Sequence, residues 1–406
     1  MRTFFLGALL LLLALPAQAQ SVRDTLTMRL QLIADNSDVP GFAVAVVSAE
    51  KTLYAHGFGF ANRETGRPFT ENTVLNLGSI TKTVIGFVLM QLEEDGKVSL
   101  DDPINQHLPF PVRNPHFPNT PITVRQLATH TSSLTDGVDD MLIEKTYLFT
   151  DSVNFRPEEL PEDYYSYFQI YRTNRSVTLP EFLKNAYTPA GAWYEKGNFL
   201  EDPPGTVYQY TNLGATLLAY LVETVAGRPF KELTREELFT PLGMEHTYWD
   251  LDRVPEEDRV THYLSNGLAI PDYSLITYPD GGLRTSVSDF SLYLREMIAG
   301  LVGTGQLLTP KAYQALMTNQ LTAANFPAAN FGKAHGLLWQ VNHDGDNISM
   351  NGADPGVVTY TLFTTSGNVG IAIFLNTNLY GQEALEADFR RIRGTLFQHI
   401  GKLLKE

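Results

Sequence analysis

The sequence predicts an α/β (α+β) fold in which an antiparallel sheet, flanked by helices, is built from both ends of the chain, with a mainly helical domain inserted between the two parts. Two β-type runs near the start, Gly41–Val47 and Thr52–Phe60, are separated by a polar tetrapeptide and predict a hairpin. More β-type runs lie beyond residue 334, and the roughly 200 residues between the two groups are mainly helical or irregular. One sheet assembled from both ends accounts for this distribution economically.

The predicted sheet domain comprises residues 20–75 and 280–406, and the inserted helical domain comprises residues 76–279. The hydrophobic share of 43% is ample for a packed core and excludes wholesale disorder. The chain has no cysteine, which excludes a disulfide framework, a thiolate metal site and a cysteine nucleophile. Its formal net charge of −15 argues against nucleic-acid binding, which needs clustered Lys and Arg side chains to neutralise phosphates.

Residues 1–19 have the features of a cleavable signal peptide. Arg2 gives a minimal positive start, and the apolar run Phe4–Leu15 is too short to span a bilayer. The small residues of Ala17-Gln18-Ala19 then predict cleavage after Ala19. The alternative is an uncleaved membrane anchor, but the Ala-x-Ala pattern favours cleavage. We therefore expect a periplasmic or secreted protein without a stable membrane anchor.

Helix and strand signals follow one another along the chain in the order that this fold requires. Helices are predicted where apolar residues recur at helical spacing: Ser21–Ala34, Ser79–Glu93, Thr123–Thr129, Thr211–Val225, Ser286–Gly300 and Glu383–Leu404. The C-terminal strands are short runs separated by Gly, Asp and Asn turns: His335–Val341, Asn347–Met350, Val357–Thr364 and Val369–Asn376.

The stretch 136–203 inside the helical domain is rich in aromatic residues and weakly patterned. Loops of this length are normally functional or carry local structure of their own. Two interpretations stay open. The stretch is either a satellite subdomain that packs its own aromatic side chains, or a wall or lid over a functional site.

A Ser-x-x-Lys tetrad is the first candidate for chemistry, and the chain contains it twice. Ser48 and Lys51 fall between two predicted strands, where a polar tetrapeptide is ordinary for a turn. Ser79 follows a glycine and opens an apolar helix, so the Lys82 amine can approach its hydroxyl from one turn away. Burial and the helix N-terminus both disfavour an ammonium, which predicts a lowered pKa for Lys82 and a usable base. The structural alternative is an N-cap serine followed by a solvated lysine.

Two further elements could complete such a site. Tyr210 and Asn212 form the only Tyr-x-Asn in the chain and open a helix. The phenol could relay a proton, and the amide could fix Lys82 or a substrate carbonyl. The glycine-bearing segment 351–356 lies between two predicted strands, where a backbone N–H could face a substrate oxygen.

These residues give the chain a resemblance to the serine β-lactamase and penicillin-binding-protein-like hydrolases. It is most similar to the class C-related branch, which includes esterases and D-amino-acid peptidases. Four segments in the family's order carry the resemblance: Gly78-Ser79-Ile80-Thr81-Lys82, residues 123–134, Tyr210-Thr211-Asn212 and Pro279-Asp280-Gly281-Gly282-Leu283. The resemblance implies a β-lactamase-like fold with its site in a cleft between the sheet and the helical domain.

By this resemblance, Ser79 is the acylated nucleophile, Lys82 its base partner and Tyr210 a second proton relay. Asn212 is then a polar group that positions other residues. His130, in the second of the four segments, is expected to be structural, because nothing in the sequence pairs it with Ser79. No metal or organic cofactor is implied.

By this resemblance, one strand that lines the site supplies a backbone donor to the oxyanion hole. The same strand departs from the family at one position. The backbone N–H groups of the nucleophile and of Ala353, which follows Gly352, would form the oxyanion hole. The family usually has Lys or His two residues before that glycine, and this chain has Met350. A methionine cannot bind a carboxylate or lower the pKa of a nearby phenol, so the base role would shift toward the lysine. Arg284 is either a replacement charge or a surface arginine.

The sequence therefore predicts an exported serine hydrolase that works through an acyl-enzyme on a small-molecule ester, amide or peptide. β-Lactams and peptidyl-D-Ala carry a carboxylate next to the scissile bond, so Met350 favours a neutral ester or small amide instead. The alternative is a non-catalytic binding or sensing relative that keeps the fold. Met350 favours that alternative, and the intact Ser79, Lys82 and Tyr210 oppose it.

Overall fold

The structure is a computed structural model that describes residues 21–150, 156–322, 325, 333–342, 346–367, 369–379 and 381–406. The predicted signal peptide, residues 1–19, lies outside the described residues, and its cleavage stays a prediction. Within the described ranges, none of the helices combines the length and the hydropathy needed to cross a bilayer.

The largest sheet contains strands from both ends of the chain, as predicted. The strands of the described residues are β1 (Gly41–Val47), β2 (Thr52–Asn62), β3 (Arg67–Pro68), β4 (Leu75–Asn76), β5 (Tyr147–Phe149), β6 (Thr247–Tyr248), β7 (His262–Tyr263), β8 (Ala269–Ile270), β9 (Tyr273–Leu275), β10 (Arg284–Thr285), β11 (Lys333–His335), β12 (Gln340–Asn342), β13 (Asn347–Asp354), β14 (Val357–Thr364) and β15 (Gly370–Leu375). The eight-stranded antiparallel sheet has the order β11-β12-β13-β14-β15-β1-β2-β3. The two parts of the chain join at β1, where Ala45 pairs with Ala372 on one side and Ala55 on the other.

Helices flank this sheet and fill the chain between its two parts. They are α1 (Val22–Asp35), α2 (Lys82–Glu94), α3 (Val124–Ala128), α4 (Met141–Glu144), α5 (Glu162–Tyr171), α6 (Leu179–Tyr187), α7 (Asn212–Ala226), α8 (Phe230–Thr234), α9 (Thr240–Leu242), α10 (Val287–Leu301), α11 (Pro310–Met317) and α12 (Glu383–Leu403). Several begin after a hydroxyl side chain that accepts a hydrogen bond from the first turn: Ser21, Thr123, Thr178, Thr211, Ser286 and Thr309.

Two apolar cores lie on opposite faces of the sheet. Successive residues of a strand point to opposite faces, so β1 contributes to both cores. Phe42 and Val44 pack with α1 and α12, whereas Ala43 and Ala45 pack with α2, α7 and α10. All seven residues of β1 are buried for this reason. The boundaries between the proposed sheet and helical domains stay a prediction.

Two parts of the C-terminal sheet differ from the sequence prediction. The single strand expected over His335–Val341 is a tight hairpin of β11 and β12, which reverses where Leu338 has a φ of 61°. The strand expected to end at Met350 continues to Asp354, since β13 pairs with β14 along its whole length. The turn before β14 is therefore confined to two residues, and Gly356 adopts its φ of 74° without strain.

The aromatic stretch 136–203 has local structure of its own. It contains α4, β5, α5 and α6, and β5 pairs with β9 from outside the stretch. The rings of Tyr147, Phe149, Phe168 and Tyr171 form a separate small core with Tyr273 of β9. The described residues of 147–171 therefore fit the satellite subdomain, whereas Phe182 and Tyr187 of α6 and Phe199 in the same stretch pack in the main core.

Candidate active site

Ser79 and Lys82 lie in a turn at the start of α2. The sequence predicts that Ser79 opens an α-helix; instead, Gly78–Thr81 forms a 3-10 turn and α2 begins at Lys82. Side chains three residues apart in a 3-10 turn lie directly above one another. Lys82 Nζ accordingly donates a 3.0 Å hydrogen bond to Ser79 Oγ. The other tetrad stays in the β1–β2 turn, where Lys51 N donates to Ser48 Oγ at 3.2 Å.

A third group reaches Ser79 from the residues that precede α7. The Tyr210 hydroxyl donates to Ser79 Oγ across 2.7 Å. Lys82 Nζ lies 5.2 Å from the centre of the Tyr210 ring. The structure therefore brings together the three residues to which the sequence analysis assigned proton transfer and nucleophilic attack.

The end of β13 lies against the turn that carries Ser79. A Cβ on Gly78 would come within 2.8 Å of the Ala353 nitrogen, and a Cβ on Gly352 within 2.0 Å of the Leu77 carbonyl oxygen. Both close approaches require glycine, and Gly78 also has a φ of 55°. This contact between two backbones places the Ala353 nitrogen beside Ser79. Its role as an oxyanion donor stays a prediction.

The surroundings of Lys82 overturn one expectation. Lys82 is fully buried, and its Nζ also donates to the backbone oxygen of Asp280 at 2.6 Å. Burial acts to lower the pKa of Lys82, but the acidic groups of Tyr210 and Asp280, with Asp136 behind them, outweigh burial and raise that pKa. The predicted lowering of the Lys82 pKa is wrong. The raised pKa favours the ammonium form of Lys82 at neutral pH.

Asp280 is a buried acid beside Lys82 to which the sequence analysis gave no role. The side chain is 3% exposed, and its Oδ2 accepts a 2.8 Å hydrogen bond from Thr216 Oγ1 of α7. Burial raises the pKa of Asp280 to about 7, although Lys82 and Thr216 act in the opposite direction. One signal in the sequence could have identified Asp280. It is the only charged side chain of the Pro-Asp-Gly-Gly-Leu segment, whose other side chains are apolar or absent.

Asn212 is held by a residue that the sequence did not connect to it. Its Nδ2 and backbone N donate to Asp136 Oδ2 at 2.8 and 2.9 Å, while Thr211 Oγ1 and Leu213 N donate to the other carboxylate oxygen. Among the described residues, the hydrogen bonds of Lys82 go to Ser79 and Asp280. Asn212 therefore joins the start of α7 to Asp136. Of the two roles expected for its amide, the hydrogen bond to Lys82 is not among the described contacts, and the contact with a substrate carbonyl stays a prediction.

A cavity of about 550 Å³ opens at Ser79. It is lined by Ser79, Tyr210, Gln340, Met350, Asn351, Gly352, Ala353, Val358, Thr359, Tyr360, Leu379, Glu386, Phe389 and Arg390. Met350 lies in this lining, as the resemblance implied, and is 1% exposed. The cation of the described lining is Arg390, whose Nη1 lies 3.6 Å from Glu386 Oε2 on the same helix. Neither here nor elsewhere do the described residues gather three His, Asp or Glu side chains that could hold a metal ion.

His130 and Arg284 are both buried. His130 Nδ1 accepts from Thr211 N at 3.3 Å, and its ring lies 4.6 Å from that of Tyr210. Burial, with His335 and Lys82, lowers the pKa of His130 well below its ordinary value, which fits the structural role predicted for it. Arg284 is neither a surface arginine nor a cleft cation, because its guanidinium donates to the carbonyls of Tyr273 and Gly282.

Comparison with known protein families gives a match over most of the chain. A family model described as Beta-lactamase matches residues 29–395. Protein flp of Staphylococcus aureus (strain MRSA252) is 21% identical over 348 residues, which is 84% of this chain and 60% of that protein. The chain therefore spans less than two thirds of the length of this relative.

Solved structures with similar folds agree with that match. The octameric penicillin-binding protein homologue from Pyrococcus abyssi superposes with a TM-score of 0.66 at 23% identity, covering 89% of this chain and 76% of the other. A class C beta-lactamase superposes with a TM-score of 0.65 at 22% identity, covering 93% and 98%. The predicted fold, an antiparallel sheet flanked by helices, is confirmed.

Proposed function

The chain belongs to the beta-lactamase family, and from this we propose that it is an exported serine hydrolase that forms an acyl-enzyme on Ser79. One observation carries the proposal. Two proton-carrying groups converge on the same oxygen, with Tyr210 Oη 2.7 Å and Lys82 Nζ 3.0 Å from Ser79 Oγ. A hydroxyl becomes a nucleophile when a neighbouring group can take its proton.

The charge on Lys82 decides which group takes the proton. Because the raised pKa keeps Lys82 an ammonium, the acceptor is Tyr210. In the proposed sequence Tyr210 first gives its own proton to solvent in the open cleft, and its phenolate then accepts a hydrogen bond from the Ser79 hydroxyl. The Lys82 ammonium stabilises the negative charge on either oxygen. This reverses the assignment favoured by the sequence, in which the lysine was the base.

The reaction then proceeds in two halves. Ser79 Oγ attacks the carbonyl carbon, its proton passes to Tyr210 Oη, and the oxyanion binds the N–H groups of Ser79 and Ala353. The alcohol or amine leaves with the proton from Tyr210, and an acyl ester remains on Ser79. Water then gives a proton to Tyr210 and attacks this ester, and the acid departs as the proton returns to Ser79.

The proposed substrate is a neutral ester or small amide. Met350 places a buried thioether where the family usually has Lys or His, so this position offers no charge to a substrate carboxylate. Arg390, the cation of the described cavity lining, has its Nη1 3.6 Å from Glu386 Oε2. Export is proposed on residues 1–19 alone, from their sequence.

The test is covalent labelling followed by mass spectrometry. A fluorophosphonate probe should add one equivalent to Ser79, and Ser79→Ala should abolish both labelling and the hydrolysis of p-nitrophenyl acetate. Ser48→Ala is the matched control, since it removes the serine of the other tetrad and should change neither. Esterase activity that survives Ser79→Ala would place the site elsewhere. Folded protein that reacts with neither fluorophosphonate nor penicillin and hydrolyses no ester would instead favour a non-catalytic binding relative.

A further inference from the structure

The cleft continues beyond Ser79 around a free edge of the sheet. The described residues of β12 pair only with Ile348 and Ser349, so no described strand pairs with the remainder of β13 on that side. Ser79 and Tyr210 lie at this edge, and the cavity reaches from them to the face of the sheet that α12 covers. A group attached to the Ser79 oxygen can therefore extend past the edge of β13 without crossing another strand of the described ranges.

The far part of the cavity contains a group of apolar and aromatic side chains beside the polar Asn351, Glu386 and Arg390. In the β13–β14 register, Asn351 pairs with Tyr360 and Ala353 with Val358, and residues paired in this way share a face. Phe389 of α12 closes this face, with its ring centre 5.8 Å from that of Tyr360. We call Val358, Tyr360, Leu379 and Phe389 the apolar end of the cleft, and all four line the cavity.

We propose that the apolar end binds the acyl group of the substrate, so that the enzyme prefers neutral esters or amides of acids with an aryl or alkyl chain. The inference rests on the proposed function and adds the substrate class. The acyl group becomes bonded to Ser79 in the first half of the reaction and is released by water in the second, so a cavity continuous with Ser79 can hold it from binding to release. Arg390 and Glu386 line the same cavity with their charged groups 3.6 Å apart, and the guanidinium of Arg393 lies over the rings of Tyr360 and Phe389 at 5.7 and 5.9 Å.

The test compares acyl chains on one leaving group. For the full chain, kcat/KM should rise at least about tenfold from p-nitrophenyl acetate to p-nitrophenyl 4-phenylbutyrate, because each buried methylene contributes to binding. Phe389→Ala should lower the ratio of kcat/KM for the 4-phenylbutyrate ester to kcat/KM for the acetate about tenfold, because part of the apolar pocket is lost. Phe389→Leu, which keeps more of the side-chain volume, should fall in between. Phe397→Ala is the matched control, since this phenylalanine lies on the same helix but is 45% exposed, and it should leave the ratio unchanged.

The outcomes separate this inference from the proposed function. Suppose that hydrolysis depends on Ser79 but that wild type and Phe389→Ala have the same ratio of kcat/KM for the 4-phenylbutyrate and acetate esters. This result overturns the proposed acyl subsite and leaves the proposed hydrolase function standing. If no ester is hydrolysed, calorimetric binding of 4-phenylbutanamide to Ser79→Ala decides. Binding that weakens about tenfold when Phe389→Ala is added supports the subsite. Binding that is absent or unchanged by Phe389→Ala overturns it.

Discussion

The hydroxyl of Tyr147 donates a 2.7 Å hydrogen bond to Asp354, the residue directly after the proposed oxyanion donor Ala353. The other carboxylate oxygen of Asp354 accepts from Asn76 Nδ2 at 2.9 Å, and its backbone oxygen accepts from Asn378 Nδ2 at 2.9 Å. The aromatic stretch 136–203 therefore supports the end of β13. None of its described residues lines the cavity at Ser79.

Tyr147→Phe should weaken both folding and catalysis. The substitution keeps the ring but leaves a buried oxygen of Asp354 without its donor, which costs about 1–3 kcal/mol of unfolding free energy. If Asp354 fixes the Ala353 N–H, kcat should also fall about tenfold with little change in KM, less than the loss of a whole oxyanion donor. Urea unfolding and ester kinetics check the two effects, with Tyr165→Phe, an exposed tyrosine of the same stretch, as control. Lowered stability with an unchanged kcat would limit Tyr147 to a structural role.

Tyr210→Phe should nearly abolish turnover while the fold persists. The ring still packs against His130 and Lys82, but the oxygen that takes the Ser79 proton is gone. Loss of a general base lowers kcat by about 10²–10⁴-fold. Tyr208→Phe is the control, because Tyr208 packs against the same His130 ring without a hydrogen bond to Ser79 among the described contacts. Equal losses in the two variants would mean that the phenol of Tyr210 has no special part in proton transfer.

The site contact that local geometry predicted joins two residues that lie close along the chain. The site residues that the sequence missed lie far along the chain from the residues they contact. Ser79 and Lys82 are three positions apart, so local geometry alone predicts their contact, even though the turn is 3-10 rather than α. Asp136 and Asp280 contact partners 75 and 64 positions away, and only tertiary packing brings these groups together. The error over the Lys82 pKa has the same origin, because burial of Lys82 was foreseen, whereas the opposing effects of Tyr210 and Asp280, both distant along the chain, were not.

Asp280→Asn should change how stability depends on pH. An acid whose pKa is raised by folding binds its proton more tightly in the folded protein, so the stability that it provides is full below pH 4 and is lost as pH rises through about 7. Besides burial, the groups that act on the pKa of Asp280 are Lys82, Thr216, Thr277 and the more distant Asp136. The neutral amide of Asp280→Asn does not titrate. The unfolding free energy of this variant minus that of wild type should therefore increase by about 2–4 kcal/mol as the pH is raised from 4 to 8. Urea unfolding across that range measures the difference.

The exposed Asp252→Asn is the control for this pH series, and its unfolding free energy should run parallel to that of the wild type. Parallel curves for Asp280→Asn and wild type would show that Asp280 does not titrate between pH 4 and pH 8. A difference of the opposite sign would show that the charged form is favoured by folding, and that Lys82 outweighs burial at this carboxylate.

Met350→Lys should shift the substrate preference toward molecules that carry a carboxylate. The position lines the cavity beside Ser79 and Tyr210 and is 1% exposed, so an ammonium there would meet a substrate carboxylate in surroundings of low dielectric constant. We expect acylation by benzylpenicillin to become about tenfold faster relative to hydrolysis of p-nitrophenyl acetate, in line with a modest coupling between partly buried charges. Met350→Leu keeps the position apolar and serves as the matched control, with thermal unfolding to verify that both variants fold. Mass spectrometry of the penicilloyl adduct gives the rate. If the lysine variant is folded and its preference equals that of the leucine variant, the absence of a cation at position 350 does not set the substrate class.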